Sequence, residues 1–316
     1  MDVPITKRIV VLGKTGAGKS SLANTIFGEK LFLIGHTANS ETNKCQAKNK
    51  SVNGRRITLI DTPGFFDTDR PEEELKPEIV RCITECSPGP HAVLIVLKVE
   101  RYTDHEQAVI TEITKYFSDK VFKYATVLFT HGDQLPEGQT IEQFFRDNKS
   151  LNDLVEKCEG RCHVIDNKYW KNDQQDEYRS NKFQVEELLK TIDEITEANR
   201  GGYYTNEMLQ AAEKLIQQEV EHIRKLSPNM SVEEIREQAK VSTAKKLLIK
   251  LVGFTTGAVL GAFFGAVRRE MEAAAVVEAL KGVVEGGLKG YEAAEGADEP
   301  LEAAERAAKA VIGLSI

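Results

Sequence analysis

The sequence predicts a doubly wound α/β domain followed by a C-terminal α-helical extension. Near-continuous runs of Val, Ile and Leu recur between residues 8 and 166, and helical segments lie between them. Strands of this composition are covered on both faces, which is typical of a mostly parallel sheet. A glycine-rich loop directly follows the first run, and doubly wound folds bind ligands at the carboxyl ends of their strands.

The predicted elements of the α/β domain follow in order along the chain. Arg8–Leu12 is the first strand, and Ser20–Phe27 is a helix that ends at Gly28, a residue typical of helix C-termini. Residues 45–61 predict a hairpin with Asn53-Gly54 as a type I′ turn. Three more buried strands are predicted at residues 91–99, 124–130 and 162–166.

After about residue 200 the pattern changes to helices without strands. Asn206–Lys225 is amphipathic, and Ser231 with Glu234 forms a capping box at the start of a second helix that runs towards Lys250. We therefore divide the chain into an α/β domain, a helical extension and a C-terminal region at residues 1–204, 205–250 and 251–316.

The segment LVGFTTGAVLGAFFGAV, residues 251–267, carries no charged residue. Its length lies near the lower limit of about 17 residues for a membrane-spanning helix. Glycine recurs at every fourth position, which lets a second helix approach closely. Three interpretations stay open: a helix inserted in or lying on a membrane, a helix for self-association, and a hairpin buried against the α/β domain.

Composition argues against several other classes of protein. The net charge is −7 and the basic residues are scattered, so we expect no nucleic-acid partner. The five cysteines include no C-x-x-C pair, which favours reduced thiols in a cytoplasmic protein over a zinc site. The first strand begins almost at once, so we expect no secretory signal.

The glycine-rich loop GKTGAGKS, residues 13–20, fits the pattern G-x-x-x-x-G-K-[S/T]. Its glycines let backbone N–H groups point at one anion, and the following helix adds its positive N-terminal end. We expect Lys19 to reach the β- and γ-phosphates of a nucleotide and the Ser20 hydroxyl to ligate Mg²⁺. The predicted phosphate contacts are Gly13, Lys14, Thr15, Gly16, Ala17, Gly18, Lys19, Ser20 and Ser21.

A second motif, LIDTPGFFD, follows the hairpin. Asp61 ends a strand about forty residues after the loop. In phosphate-loop proteins an Asp at this place holds Mg²⁺, usually through water, and we expect the backbone N–H of Gly64 to contact the γ-phosphate. The alternative is an ordinary Asp–Pro–Gly turn. The place of Asp61 after the expected strand favours the metal site.

The nucleotide base is selected by later loops. TVLFTHGDQL places Thr130 and Asp133 in a T-x-x-D pattern, and the Asp133 carboxylate can accept two hydrogen bonds from guanine. Adenine lacks this pair of donors. His131 can stack on the base, and Asn167 in VIDNKYW can contact it from the other side.

Five motifs in this order, GKTGAGKSS, DTPGFFD, VERYTDHEQ, VLFTHGDQL and CHVIDNKYW, resemble those of the GTPases of immunity-associated proteins, the GIMAP family. That family is related to septins and to the plastid outer-envelope import GTPases. The resemblance covers about residues 7–225. It implies a P-loop GTPase G domain that binds GTP or GDP with Mg²⁺ and pairs through its nucleotide face when GTP is bound. It also implies scaffolds on membranes for members with a hydrophobic C-terminus.

The resemblance assigns the switch I threonine, which closes on Mg²⁺ and the γ-phosphate, to Thr42, with Thr37 and Ser40 as alternatives. Many small GTPases have a water-orienting Gln where this chain has Phe65, so we expect slow intrinsic hydrolysis. We predict that Arg101 reaches across a dimer to the partner's phosphates; the alternative is a solvated or locally paired arginine.

Taken together, these motifs predict a slow GTPase that pairs with a second copy or a related GTPase. Its C-terminal helices are expected to couple this assembly to a membrane or a partner, with residues 251–267 as the candidate membrane contact. A septin-like scaffold that does not hydrolyse its GTP is the alternative. A phosphate-loop enzyme that uses ATP is disfavoured by Asp133.

Overall fold

The computed structural model describes residues 6–34, 45–62, 72–170 and 177–252. Within these residues one sheet of six strands has the order β2-β3-β1-β4-β5-β6. All neighbouring strands are parallel except the β2–β3 pair, which is antiparallel. The strands are β1 (Lys7–Leu12), β2 (Gln46–Val52), β3 (Arg55–Asp61), β4 (Ala92–Lys98), β5 (Ala125–Thr130) and β6 (Cys162–Val164).

The helices divide between two compact units. The first unit contains the sheet, α1 (Lys19–Phe27), α3 (Asp104–Phe117), α4 (Ile141–Phe145), α5 (Lys149–Lys157) and α6 (Asn181–Ala198). The second contains α2 (Glu72–Cys86), α7 (Glu207–Leu226) and α8 (Val232–Val252). The predicted α/β fold with helices after it is confirmed.

The predicted hairpin turn between β2 and β3 is also confirmed. Val52 pairs with Arg55, so the loop has two residues. Asn53 has φ 47° and Gly54 has φ 78°, and a type I′ turn requires positive φ at both central positions.

Helices α1 and α6 cover one face of the sheet with a buried apolar layer. Each large side chain buried there stabilises the fold by about 1.5–3 kcal/mol. On the opposite face, Phe129 of β5 stacks on Phe145 of α4 with ring centroids 5.9 Å apart. The helical members of the first layer are Leu22, Ala23, Ile26, Phe27, Val185, Leu188, Leu189, Ile192 and Ile195.

The strand register aligns the carboxyl ends of the central strands at one edge of the sheet. Val11 of β1 pairs with Asp61 of β3, and Lys98 of β4 pairs with Thr130 of β5. The glycine-rich loop leaves β1 at Gly13 and therefore starts at the same edge.

In the second unit, α2 packs with the two C-terminal helices, a grouping that the sequence pattern did not indicate. Glu213 of α7 accepts hydrogen bonds of 3.1 and 2.8 Å from the guanidinium of Arg236 in α8. Arg236 also donates to the carbonyl of Ser87, which follows α2. The capping box of Ser231 and Glu234 is present as predicted.

The predicted domain boundaries remain predictions. Residues 253–316, which include most of the apolar glycine-spaced segment, lie outside the described residues. Of the helices in the described ranges, none has the length and apolar character needed to cross a membrane.

Candidate functional site

The phosphate loop follows β1 and has a backbone that only glycine adopts easily. Gly13 has φ 152°, and a Cβ atom on it would lie 2.5 Å from the carbonyl oxygen of Val96. Gly18, at the N-cap of α1, has φ 85°, and a Cβ atom there would lie 3.1 Å from Nδ2 of Asn167. The loop therefore depends on glycine both for its dihedral angles and for its close contact with neighbouring loops.

Lys19 is the first residue of α1 and is buried. Its ammonium donates hydrogen bonds of 2.8 Å to the carbonyls of Gly13 and Lys14, so its charge is held over the loop. The first turn of α1, all of which the structure describes, contains no acidic residue. The positive end of the helix and the lysine together favour an anion at this position.

Ser20 and Asp61 form the candidate metal position. The Ser20 hydroxyl donates to Oδ2 of Asp61 over 2.6 Å, and Asp61 is 1% exposed. The other oxygen, Oδ1, is buried without a hydrogen-bond partner among the described residues. Burial raises the pKa of Asp61, while the hydrogen bond from Ser20 and the charge of Lys19 lower it, with a net rise. A buried carboxylate with a spare oxygen beside a hydroxyl fits Mg²⁺, which prefers such oxygen ligands.

Thr130 connects the phosphate loop to the base-recognition loop. Its buried hydroxyl donates to the carbonyl of Ala17 over 2.8 Å and lies 3.0 Å from Nδ1 of His131. His131 is half-buried and has φ 61°, a left-handed conformation that turns the chain after β5. A short helical turn, Gly132–Gln134, follows and carries Asp133, which is exposed.

The ring of Trp170 packs against this turn. A Cβ atom on Gly132 would lie 2.7 Å from the Trp170 ring, so a side chain at this position would displace the tryptophan. Trp170 itself is buried. Glycine is therefore required at position 132 because the Trp170 ring, from the loop after β6, packs against it.

Asp166, which the sequence analysis did not single out, shapes the loop after β6. It is buried, and Oδ1 accepts hydrogen bonds from the backbone N–H groups of Lys168 at 2.9 Å, Trp170 at 3.1 Å and Tyr169. Burial raises its pKa, but hydrogen bonds from Asp133 and from these N–H groups outweigh burial and lower it. For Asp133, which is exposed but partly desolvated, this desolvation and the neighbouring Asp166 raise the pKa, and the charge of His131 lowers it less.

Asn167 contacts α1 at two places, at its N-cap residue Gly18 and at Thr25 near its C-terminal end. Its Oδ1 accepts a hydrogen bond of 3.1 Å from the Thr25 hydroxyl, and its Nδ2 donates to the carbonyl of Gly18 over 3.4 Å. The loop after β6 and the loop after β1 are therefore in direct contact. The structure brings Asn167 to the phosphate loop, on the same edge as Thr130.

Glu106 of α3 is a further residue of the site that the sequence analysis missed. Its carboxylate is buried and accepts from the Lys14 ammonium, from the Thr103 hydroxyl and, over 3.0 Å, from the Thr103 backbone N–H. The pattern T-D-H-E, a capping box, was the available signal. Nearby, Arg101 is exposed, and in the described part of the chain it forms no ion pair or hydrogen bond.

Thr42 and Gly64, together with Thr37, Ser40 and Phe65, lie outside the described residues. Arg101 follows β4, and no described contact joins it to the site. The remaining predicted site residues come from β1–α1, β3, β5 and the loop after β6, and they meet at one edge of the sheet. This fold, with a phosphate loop before α1 and an aspartate at the end of β3, the strand beside β1, defines a P-loop GTPase G domain.

Comparison with known proteins gives the family. The sequence model of the AIG1 family matches residues 7–223, and the chain belongs to this family. It is 31% identical to immune-associated nucleotide-binding protein 9 of Arabidopsis thaliana, over 76% of this chain and 71% of that protein. It is 30% identical to GTPase IMAP family member 8 of Mus musculus, over 59% of this chain and 28% of that protein. The resemblance inferred from the five motifs is confirmed.

A solved structure supports the fold. Toc33 from Arabidopsis thaliana in complex with GDP and Mg²⁺ matches with a TM-score of 0.50 and 19% sequence identity. The match covers 64% of this chain and 88% of that chain. At this identity the match establishes a G-domain fold alone.

Proposed function

We propose that the protein is a guanine-nucleotide switch that binds GTP and GDP with Mg²⁺, hydrolyses GTP slowly and pairs through its G-domain face in the GTP state. The observation that carries the proposal is the pair of Ser20 and Asp61 beside the phosphate loop, with one buried oxygen of Asp61 left without a described partner. Nucleotide binding agrees with the names of relatives in the family.

The phosphate side of the site has a role for each group. Backbone N–H groups of residues 13–20 and the Lys19 ammonium hold the phosphates, and Ser20 and Asp61 hold the metal. Mg²⁺, when bound with the nucleotide, neutralises phosphate charge. Thr42 and Gly64 are proposed to close on the γ-phosphate.

The base side selects guanine. Asp133 lies on the turn after β5 and offers a carboxylate to two N–H donors of the base. His131 and Asn167 are proposed to contact the base from its two sides. Adenine would leave the carboxylate without those donors, which disfavours ATP.

Hydrolysis is proposed to depend on pairing. Phe65 replaces the water-orienting side chain of many small GTPases, so a single G domain lacks that group. Arg101 is exposed and without a described ionic partner, so its guanidinium is available to a second G domain. An arginine supplied in trans can raise the rate by roughly 10³ to 10⁵.

The test is GTP turnover against protein concentration, with light scattering in GDP and in a non-hydrolysable GTP analogue. We expect specific activity to rise with concentration and the analogue to drive dimers. Arg101→Ala should abolish the concentration dependence, whereas Arg146→Ala, a change of charge elsewhere in the domain, should not. Dimers with flat turnover near zero would favour a GTP-stabilised scaffold. Equal competition by ATP and GTP would contradict guanine selection.

We further propose a cytoplasmic protein that contacts membranes through residues 251–267. The support is the uncharged, glycine-spaced sequence itself. Flotation of the full chain with anionic phospholipid vesicles tests it, and Phe264→Asp should abolish flotation because a charge in this segment opposes insertion. Equal flotation of both proteins would contradict it.

A further inference from the structure

We propose that the Lys14–Glu106 ion pair fixes the Arg101-bearing segment to the phosphate loop, so that phosphate binding sets the position of Arg101. Glu106 is then a positioning residue, since it acts through Lys14 and not on the nucleotide. The inference rests on the proposed pairing through Arg101.

Lys14 connects the phosphate loop to the segment that carries Arg101. Its carbonyl accepts a hydrogen bond from the Lys19 ammonium, so its backbone moves with the group that holds the phosphates. Its own ammonium contacts Oε1 of Glu106 and lies 3.9 Å from Oε1 of Glu100. Because Glu100 and Glu106 flank Arg101 on both sides in the chain, both ends of the segment that carries Arg101 converge on one lysine of the phosphate loop.

The two oxygens of Glu106 have separate tasks. Oε1 pairs with Lys14, while Oε2 accepts from the backbone N–H and the hydroxyl of Thr103 at the start of α3. The carboxylate therefore holds the phosphate loop with one oxygen and the end of the segment with the other. Thr103 lies only two residues after Arg101.

In the Lys14–Glu106 ion pair, Glu106 is the more buried partner. The Glu106 side chain is 7% exposed and that of Lys14 is 32% exposed. They line a cavity of about 10 Å³ together with Val96 and Val109, which leaves room for about one water molecule. Burial raises the pKa of Glu106, but Lys14 and Thr103 outweigh burial and lower it to about 2. The Glu106 carboxylate therefore stays ionised throughout the neutral pH range.

Glu106→Gln separates the ion pair with Lys14 from the capping of α3. Glutamine also serves at the third position of a capping box, so the start of α3 is retained while the ion pair is lost. Glu187→Gln, in an exposed ion pair with Lys190, is the matched control. Lys14→Arg keeps a cation and Lys14→Met removes it.

The experiment follows hydrogen exchange at residues 100–106 in the full chain, with GDP and with the GTP analogue, alongside analogue-driven dimerisation. We expect the analogue to protect this segment in the wild type, Glu187→Gln and Lys14→Arg, but not in Glu106→Gln or Lys14→Met. Dimerisation of the latter two, measured at analogue concentrations that saturate each variant, should weaken by about tenfold or more. The double variant Lys14→Met/Glu106→Gln should be no worse than either single variant.

The outcomes separate the two proposals. Additive losses in the double variant, or analogue protection retained in Glu106→Gln, would overturn the positioning role. A wild type that protects the segment but never dimerises would overturn the proposed function and leave the link between Lys14 and Glu106 intact. An equal loss of GDP and analogue binding would show that Glu106 only stabilises the fold.

Discussion

The phosphate end and the base end of the candidate site are built in different ways. At the phosphate end, eight consecutive residues, 13–20, supply the loop, and Asp61 is added from the neighbouring strand. At the base end, Asp133 and Asn167 come from two loops more than thirty residues apart. Phosphate binding is therefore encoded locally, while base recognition depends on tertiary neighbours.

Burial follows the same division. Lys19 and Asp61 are buried; the loop holds the Lys19 ammonium, and Ser20 holds one of the two oxygens of Asp61. Asp133 is exposed, and the buried residue beneath it is Asp166, which orders the backbone instead of facing solvent. A change at the phosphate end should therefore affect folding and binding together, and a change at the base end should affect selectivity first.

The largest effect is expected from Gly13→Ala. The new Cβ would lie 2.5 Å from the Val96 carbonyl oxygen at a φ of 152°, so the backbone must shift. We expect a loss of about 3 kcal/mol or more in the free energy of unfolding, with no measurable nucleotide binding. Urea denaturation and a fluorescent GDP titration measure the two effects.

Gly16→Ala is the matched control for that prediction. Gly16 also has positive φ, 77°, but nothing lies within 4 Å of the added Cβ. Only the left-handed backbone penalty applies, about 1–2 kcal/mol. If both variants lose the same stability, the contact with Val96 is not what requires glycine at position 13.

Most of the phosphate end could be predicted from the sequence because the residues that form it are close together in the chain. The spacing of glycine, lysine and serine defines the loop, and the apolar run before it defines β1. The hairpin turn at Asn53-Gly54 is local as well, and its dihedral angles agree with the prediction. None of these features requires knowledge of a distant partner.

The remainder of the site is formed by contacts between residues that are far apart in the chain, and the sequence alone does not show which of them meet. Glu106 meets Lys14 across 92 positions of the chain, and Trp170 lies against Gly132 from another loop. The grouping of α2 with α7 and α8 is likewise a tertiary property. Periodicity identifies buried faces but does not identify the element that covers each face.

The second prediction concerns Asp61→Asn. The raised pKa of Asp61 means that its ionised form destabilises the ligand-free fold, an effect that grows as pH rises through that pKa. Asparagine removes this charge and still accepts from Ser20, so the stability without ligand should be equal or higher at pH 7. The Mg²⁺-dependent gain with GDP should be lost.

Thermal unfolding in EDTA and in Mg²⁺ with GDP measures that difference. In the wild type, ligand at a hundredfold excess over Kd adds about 2.7 kcal/mol. We expect the variant to keep less than about half of this gain. A variant that is destabilised in EDTA, but keeps the full gain with Mg²⁺ and GDP, would show that Asp61 serves the fold and not the metal.

The smallest effect is expected at the base end, from Asp166→Asn. Guanine recognition requires ionised Asp133, whose pKa is raised by partial desolvation and by Asp166, with His131 and Lys168 as the other charged groups nearby. Selectivity for GDP over ADP should therefore fall as the pH is lowered through this raised pKa. Because the variant removes the neighbouring negative charge, the pKa of Asp133 should fall, and the loss of selectivity should move to lower pH.

Competition between GDP and ADP from about pH 7 down to about pH 4, close to the ordinary aspartate pKa, measures the shift, with Asp153→Asn, an exposed carboxylate in α5, as the control. At the acid end we expect Asp166→Asn to keep several-fold more selectivity than the wild type, although it loses about 1 kcal/mol of stability through weaker hydrogen bonds to the loop. Superimposable profiles would mean that Asp166 acts on the backbone alone. Base recognition by Asp133 would then not depend on the charge of Asp166.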